Sequence, residues 1–95
     1  MQYLIYRYGA NSYNQTRRWK MPLAIIEAKS KAEALEIAHD YHTVYNNQHL
    51  EAIPVSRAKR KDLDEVWIGT LEYKEFNNIK RHPQIIATQE AWEIF

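Results

Sequence analysis

Cysteine is absent from the 95 residues, which removes disulfides, thiolate nucleophiles and sulfur-ligated zinc together. Glycine occurs only twice, at Gly9 and Gly69. A glycine-rich loop that cradles phosphate therefore has no material to form from, and turns fall to Asn, Ser and Asp, which hydrogen-bond to their own backbone. Long hydrophobic runs are also missing. The most apolar stretch, residues 23–26, is far short of the roughly 20 residues that span a bilayer, and no signal-like apolar run follows Met1, which favours the cytoplasm. The formal net charge is +1, so no overall field draws in nucleic acid or an anionic membrane, and any such attraction has to come from local clusters.

What is present is ordinary for a folded domain: 45% apolar and 26% charged residues, with seven tyrosines and three tryptophans. A chain of this length buries roughly 60–68% of its unfolded surface, enough for one core and a single domain over residues 1–95. Residues 2–8 alternate, Leu4, Tyr6 and Tyr8 against Tyr3, Ile5 and Arg7, and read as a strand. A polar loop is expected over residues 9–20. Residues 22–28 carry apolar groups on both faces, Leu23 and Ile25 against Ala24, Ile26 and Ala28, as an interior strand does.

The sharpest local signal is Ser30 followed by Glu33, the S-x-x-E box in which each side chain caps the other residue's backbone N–H at a helix start. Beyond it Ala34, Leu35, Ala38, Tyr41, His42 and Tyr45 recur at helical spacing, so a helix is expected over residues 30–42. Residues 50–55 read as a third strand, with Pro54 at an edge or past the ladder. Residues 62–76 read as a helix with Leu63, Val66, Trp67, Leu71 and Lys74 on one side. The acidic start at Asp62, Asp64 and Glu65 favours helix over a competing strand at residues 66–73. A short strand at 84–87 and a helical turn at 88–95 complete the reading, with residues 77–95 a candidate peripheral extension.

The expected fold is thus α+β: a small antiparallel or mixed sheet with one capped helix in a strand-helix-strand unit and a C-terminal helical segment. The order strand, capped helix, strand resembles half of a ferredoxin-like sandwich, a fold that hosts too many activities to transfer one. A right-handed crossover makes the second and third strands parallel. If the first two strands form a hairpin, the 9–20 loop and the 46–49 turn meet at one end of the sheet. A binding site follows from that placement, built from Asn11, Tyr13, Arg17, Arg18, Trp19, Lys20, Asn46, Asn47, Gln48 and His49. Guanidinium, amide and aromatic groups in one surface suit a phosphate, a carboxylate, a base or a protein. The secondary basic cluster Arg57, Lys59, Arg60 and Lys61 falls at the opposite end.

Other chemistry is weaker. His39 and His42 stand three apart on the helix, but zinc needs at least a third protein ligand and none is spaced for it. The blander reading is a half-buried His42 and a solvated His39, with no metal and no cofactor. No serine sits in a nucleophile elbow, and a second alternative is a small enzyme with its site built between subunits. The leading expectation is a non-catalytic binding or regulatory domain that acts through a protein partner or self-association. Its support is an aromatic content that a chain this small cannot fully bury. The alternative is a nucleic-acid binder using the basic and aromatic loop residues, tempered by the near-neutral charge and by the acidic residues that follow the second basic run.

Overall fold

The computed structural model describes residues 1–11, 14–42, 44–45, 47–76 and 83–89. Strands β1 (Gln2–Asn11) and β2 (Asn14–Glu27) lead into helix α1 (Lys31–Tyr41) and strand β3 (Gln48–Pro54). A 3-10 turn (Val55–Arg57) then precedes helix α2 (Arg60–Phe76) and strand β4 (Ile85–Thr88). The four strands form one sheet in the order β3-β1-β2-β4, and every neighbouring pair is antiparallel. Because β2 and β3 both oppose β1, they run the same way, with β1 between them. That is the strand-helix-strand unit expected from the capped helix. Pro54 closes β3, which is an edge strand, where a missing N–H costs no ladder bond.

Alternation along β1 divides the core in two. Tyr3 and Ile5 pack with Ala24, Ile26, Leu50 and α1 residues Ala34, Ile37 and Ala38; Leu4 and Tyr6 pack with Ile25, Ala87 and Val66 of α2. The helices therefore cover opposite faces of the sheet. A ferredoxin-like sandwich keeps its helices on one face, so the likeness stops at the β2-α1-β3 unit.

Three expectations are corrected. Leu23 does not share a face with Ile25. A register shift lets β1 pass from Ile5 opposite Ala24 to Tyr6 opposite Pro22, and the extra residue, Leu23, turns toward α1. On α1 the buried positions include Ile37, absent from the expected stripe, whereas Tyr45 is 65% exposed beyond the helix end, and His42 is buried rather than half-buried. Among the described side chains of α2 the buried ones are Val66 and Thr70, while Trp67, Ile68 and Leu71 are exposed. The sheet lies about one sixth of a turn around the helix from where the apolar stripe pointed, and Thr70 on that side is held inward by hydrogen bonds.

Half of the expected capping box is formed, because the Glu33 carboxylate bonds elsewhere than to the Ser30 N–H. Ser30 Oγ accepts from the Glu33 N–H at 3.1 Å, and the His42 N–H closes the far end on the Ala38 carbonyl at 2.9 Å. The Glu33 carboxylate accepts a hydrogen bond from the Gln84 side-chain amide at 2.8 Å, which ties α1 to the approach of β4. On the other face the buried Thr70 hydroxyl accepts from the Thr88 N–H at 2.8 Å. The Val66 and Thr88 carbonyls lie 2.8 and 3.0 Å from it as acceptors for its single proton. Residues 90–95, most of the expected terminal turn, lie outside the described residues, and Thr88 itself belongs to β4. β4 lies within the segment read as a candidate extension and pairs with β2. Among the described residues no helix is long and apolar enough to cross a membrane.

Candidate functional site at the free end of the sheet

The segment expected as a long polar loop is a β-ribbon. β1 and β2 stay paired through Gly9 opposite Trp19 and Ala10 opposite Arg18, out to Asn11 opposite Asn14. Gly9 reads as a break in sequence because it has no side chain, but here the Trp19 indole occupies that space, and a Cβ at Gly9 would overlap its six-membered ring. A local signal for the strand was available. Arg18 and Lys20 are exposed while Trp19 and Met21 are partly buried, the period of two that marks a half-covered strand.

The register sets the chemistry of this end. Tyr8 stands opposite Lys20 on one side and His49 on the other, so all three share the face that α2 covers further along. The Tyr8 and His49 rings stack with centroids 5.0 Å apart and planes 9° from parallel. Tyr6, next along that face, tilts toward Tyr8 at 6.2 Å and carries the Lys20 ammonium 4.6 Å above its ring. The start of β3 is fastened to the ribbon through the preceding Asn47, whose side-chain amide donates to the Ala10 carbonyl at 2.6 Å. Between them lies a concavity of about 310 Å³ lined by Tyr8, Gly9, Ala10, Arg18, Asn47 and His49.

Charge in the site is mixed. Glu51 Oε1 lies 3.5 Å from His49 Nε2, with both side chains about half exposed or more. Burial pushes the Tyr8 phenol up from its usual value, and the nearby Glu51 carboxylate adds to the shift, so the hydroxyl remains a donor at neutral pH. The surface thus offers ring faces, a guanidinium, an ammonium and an amide on one side of the sheet end.

The structure divides the expected site residues. Arg18, Asn47 and His49 line the concavity, and Lys20 extends the same face. Trp19 and Gln48 pair with Gly9 and so fall on the opposite, α1 face, because strand neighbours alternate. Asn11 and Arg17 lie in β1 and β2, while Tyr13 and Asn46 lie outside the described residues. Glu51 was missed and Tyr8, an aromatic of the first strand, stood outside the expected set; the hairpin register that brings them to the site is not a local property. Arg57, Lys59, Arg60 and Lys61 are exposed at the other end, beyond the pairing of Tyr3 with Pro54. Among the described residues no group of three or more His, Asp or Glu is placed to hold a metal. Comparison with protein-family models, with curated proteins and with solved structures finds no match to this chain.

Proposed function

We propose that the chain is a non-catalytic binding or regulatory domain that acts through macromolecular contacts, with the free end of the sheet as its contact surface. The observation that carries this reading is the closure of two segments, 37 positions apart, on one concavity. Asn47 bonds Ala10 and His49 stacks on Tyr8, with Arg18 exposed at the rim. Tyr and Arg, both present here, are among the residues that carry most of the binding energy in protein interfaces. The test is affinity capture from the native host, with wild-type protein beside an Arg18→Ala, His49→Ala double variant. A partner held by the wild type and lost from the double variant supports the reading; equal recovery on both rejects it.

A nucleic-acid reading is favoured by one specific feature, the row His49, Tyr8, Lys20 across three strands with Arg18 next to it. Stacking rings flanked by cations on one sheet face suit single-stranded nucleic acid. This reading expects oligonucleotide binding that weakens steeply with salt and is abolished when Arg17, Arg18 and Lys20 become Ala. No anisotropy change with mixed oligonucleotides at low salt would rule it out.

A further inference from the structure

Ala10 places a bare methyl group between two long polar side chains. It stands opposite Arg18 of β2, and on the β3 side the Asn47 amide donates to its carbonyl at 2.6 Å. Because strand residues alternate, Ala10 and Arg18 share the face of Tyr8, Lys20 and His49, whereas the Trp19 indole beside Gly9 lies on the other. The concavity of about 310 Å³ is therefore a notch with an apolar floor, polar flanks and a wall of stacked rings. Its charge is of one sign. Arg18 is exposed and, among the described residues, makes no ion pair or hydrogen bond. Glu51 belongs to the row of Tyr6, displaced along the strands from the row of Ala10 by about 13 Å, and lies against His49 instead. The Lys20 ammonium sits over the Tyr6 ring. The donors left in the notch are one guanidinium and the second N–H of the Asn47 amide.

We propose that this notch holds the C-terminal carboxylate of a partner chain, with the apolar side chain of that last residue against the Tyr8 and His49 rings. The assignment rests on the reading of the sheet end as a macromolecular contact surface and names the group recognised there. Charge selects a carboxylate. It carries a single negative charge, which one planar guanidinium meets with two parallel hydrogen bonds, whereas a phosphate monoester carries about 1.5 to 2 charges and would stay partly uncompensated. Compactness selects a chain end. Ala10 and Tyr8 are successive residues on one face of β1, about 7 Å apart, so the donors and the ring wall lie within reach of a single residue. At a chain end a carboxylate and an apolar side chain leave the same Cα. The carboxylate of an Asp or Glu is that residue's own side chain, and any apolar group has to come from a neighbour. Capture of a terminal carboxylate is a recurring mode of peptide recognition.

The test is a nuclear magnetic resonance titration of the isotope-labelled full chain with N-acetylphenylalanine, carried into the millimolar range. Amide resonances of Gly9, Ala10 and Asn47 should shift and saturate. Two control ligands should bind at least about tenfold more weakly: N-acetylphenylalanine amide, which has no charge, and N-acetylglutamic acid α-amide, whose carboxylate is on its side chain. Arg18→Gln, at an exposed position, should lower the affinity for N-acetylphenylalanine by a similar factor, and Ala10→Leu, which fills the notch, should abolish binding. Absence of shifts at these residues overturns the proposal, as does equal binding of the three ligands. An oligothymidylate that moves the same resonances where N-acetylphenylalanine does not assigns the notch to nucleic acid and also overturns it. Affinity capture separates this assignment from the reading beneath it. A partner lost from the Arg18→Ala, His49→Ala variant beside a failed titration removes the carboxylate alone, whereas a saturable titration with no partner recovered removes the macromolecular reading and leaves the carboxylate notch standing.

Discussion

The Tyr6 hydroxyl donates to the Asp62 carboxylate at 2.5 Å, joining the central strand to the first turn of α2 across 56 positions of sequence. Tyr6 is 2% exposed, so this phenol has exchanged water for a charged acceptor that also fixes where α2 begins its passage over the sheet. Tyr6→Phe keeps the ring and removes the bond. A hydrogen bond to a charged group contributes about 1.5–3 kcal/mol, and that is the expected loss, read as a lower urea midpoint.

Alkaline pH probes the same contact. Burial first, then the bond to Asp62, raises the Tyr6 phenol well above its usual value, and Tyr8 is raised in the same direction. In the unfolded chain both ionise near about pH 10, whereas in the fold they stay protonated. Their contribution is therefore complete below about pH 10 and is lost progressively as pH climbs through the folded-state values. Urea midpoints should be flat with respect to these groups between pH 8 and 9 and fall above 10, less steeply in Tyr6→Phe. An identical decline in the two proteins would contradict the assignment.

Thr70→Val tests how α2 is held against β4. The substitution is close in shape but leaves the buried Thr88 N–H without the hydroxyl that accepts from it. Losing that buried hydrogen bond costs about 0.5–1.5 kcal/mol, and amide exchange at Thr88 should accelerate more than at Ile26 in β2.

The Gly9 and Trp19 pair should behave as one unit. Gly9→Ala forces the indole from its seat, whereas the same substitution in a Trp19→Ala background no longer meets the three atoms that crowd it most. The double variant should therefore lose less stability than the sum of the singles, a coupling of about 0.5–3 kcal/mol in a double-mutant cycle. Strict additivity would mean that Trp19 does not pack on Gly9.

Ser30→Ala removes the N-cap acceptor of α1 and should cost about 0.5–2 kcal/mol, while Ser30→Gly costs only a few tenths. Thermal midpoints of the two variants distinguish a capping role from a general loss of packing.

Legibility of the sequence varied with the range of the interaction. Ser30 and Glu33 announced α1 because an N-cap involves residues three apart, and the alternation of residues 2–8 announced β1 for the same reason. The meeting of the ribbon with the 46–49 turn was also reachable, since it follows from the direction of two parallel strands around β1. The faces were harder. Trp19 and Lys20 look like one basic-aromatic cluster in sequence, but adjacent strand residues point to opposite sides, and only Lys20 joins Tyr8 and His49.

The sequence by itself determined the elements: the capped helix, the strand-forming alternation, the helix beginning at an acidic turn, and a chain too short and too poor in glycine and cysteine for several chemistries. Each depends on residues within one or two turns of each other. Tertiary structure decided what those elements face. The Trp19 indole turned an apparent break at Gly9 into a continuous strand, and one extra residue opposite Tyr6 sent Leu23 to the other core. Tyr6 and Thr70 set the rotation of α2, burying a threonine and leaving Trp67, Ile68 and Leu71 outside. Those outcomes depend on partners tens of residues away, and a local pattern carries no record of a partner it has yet to meet.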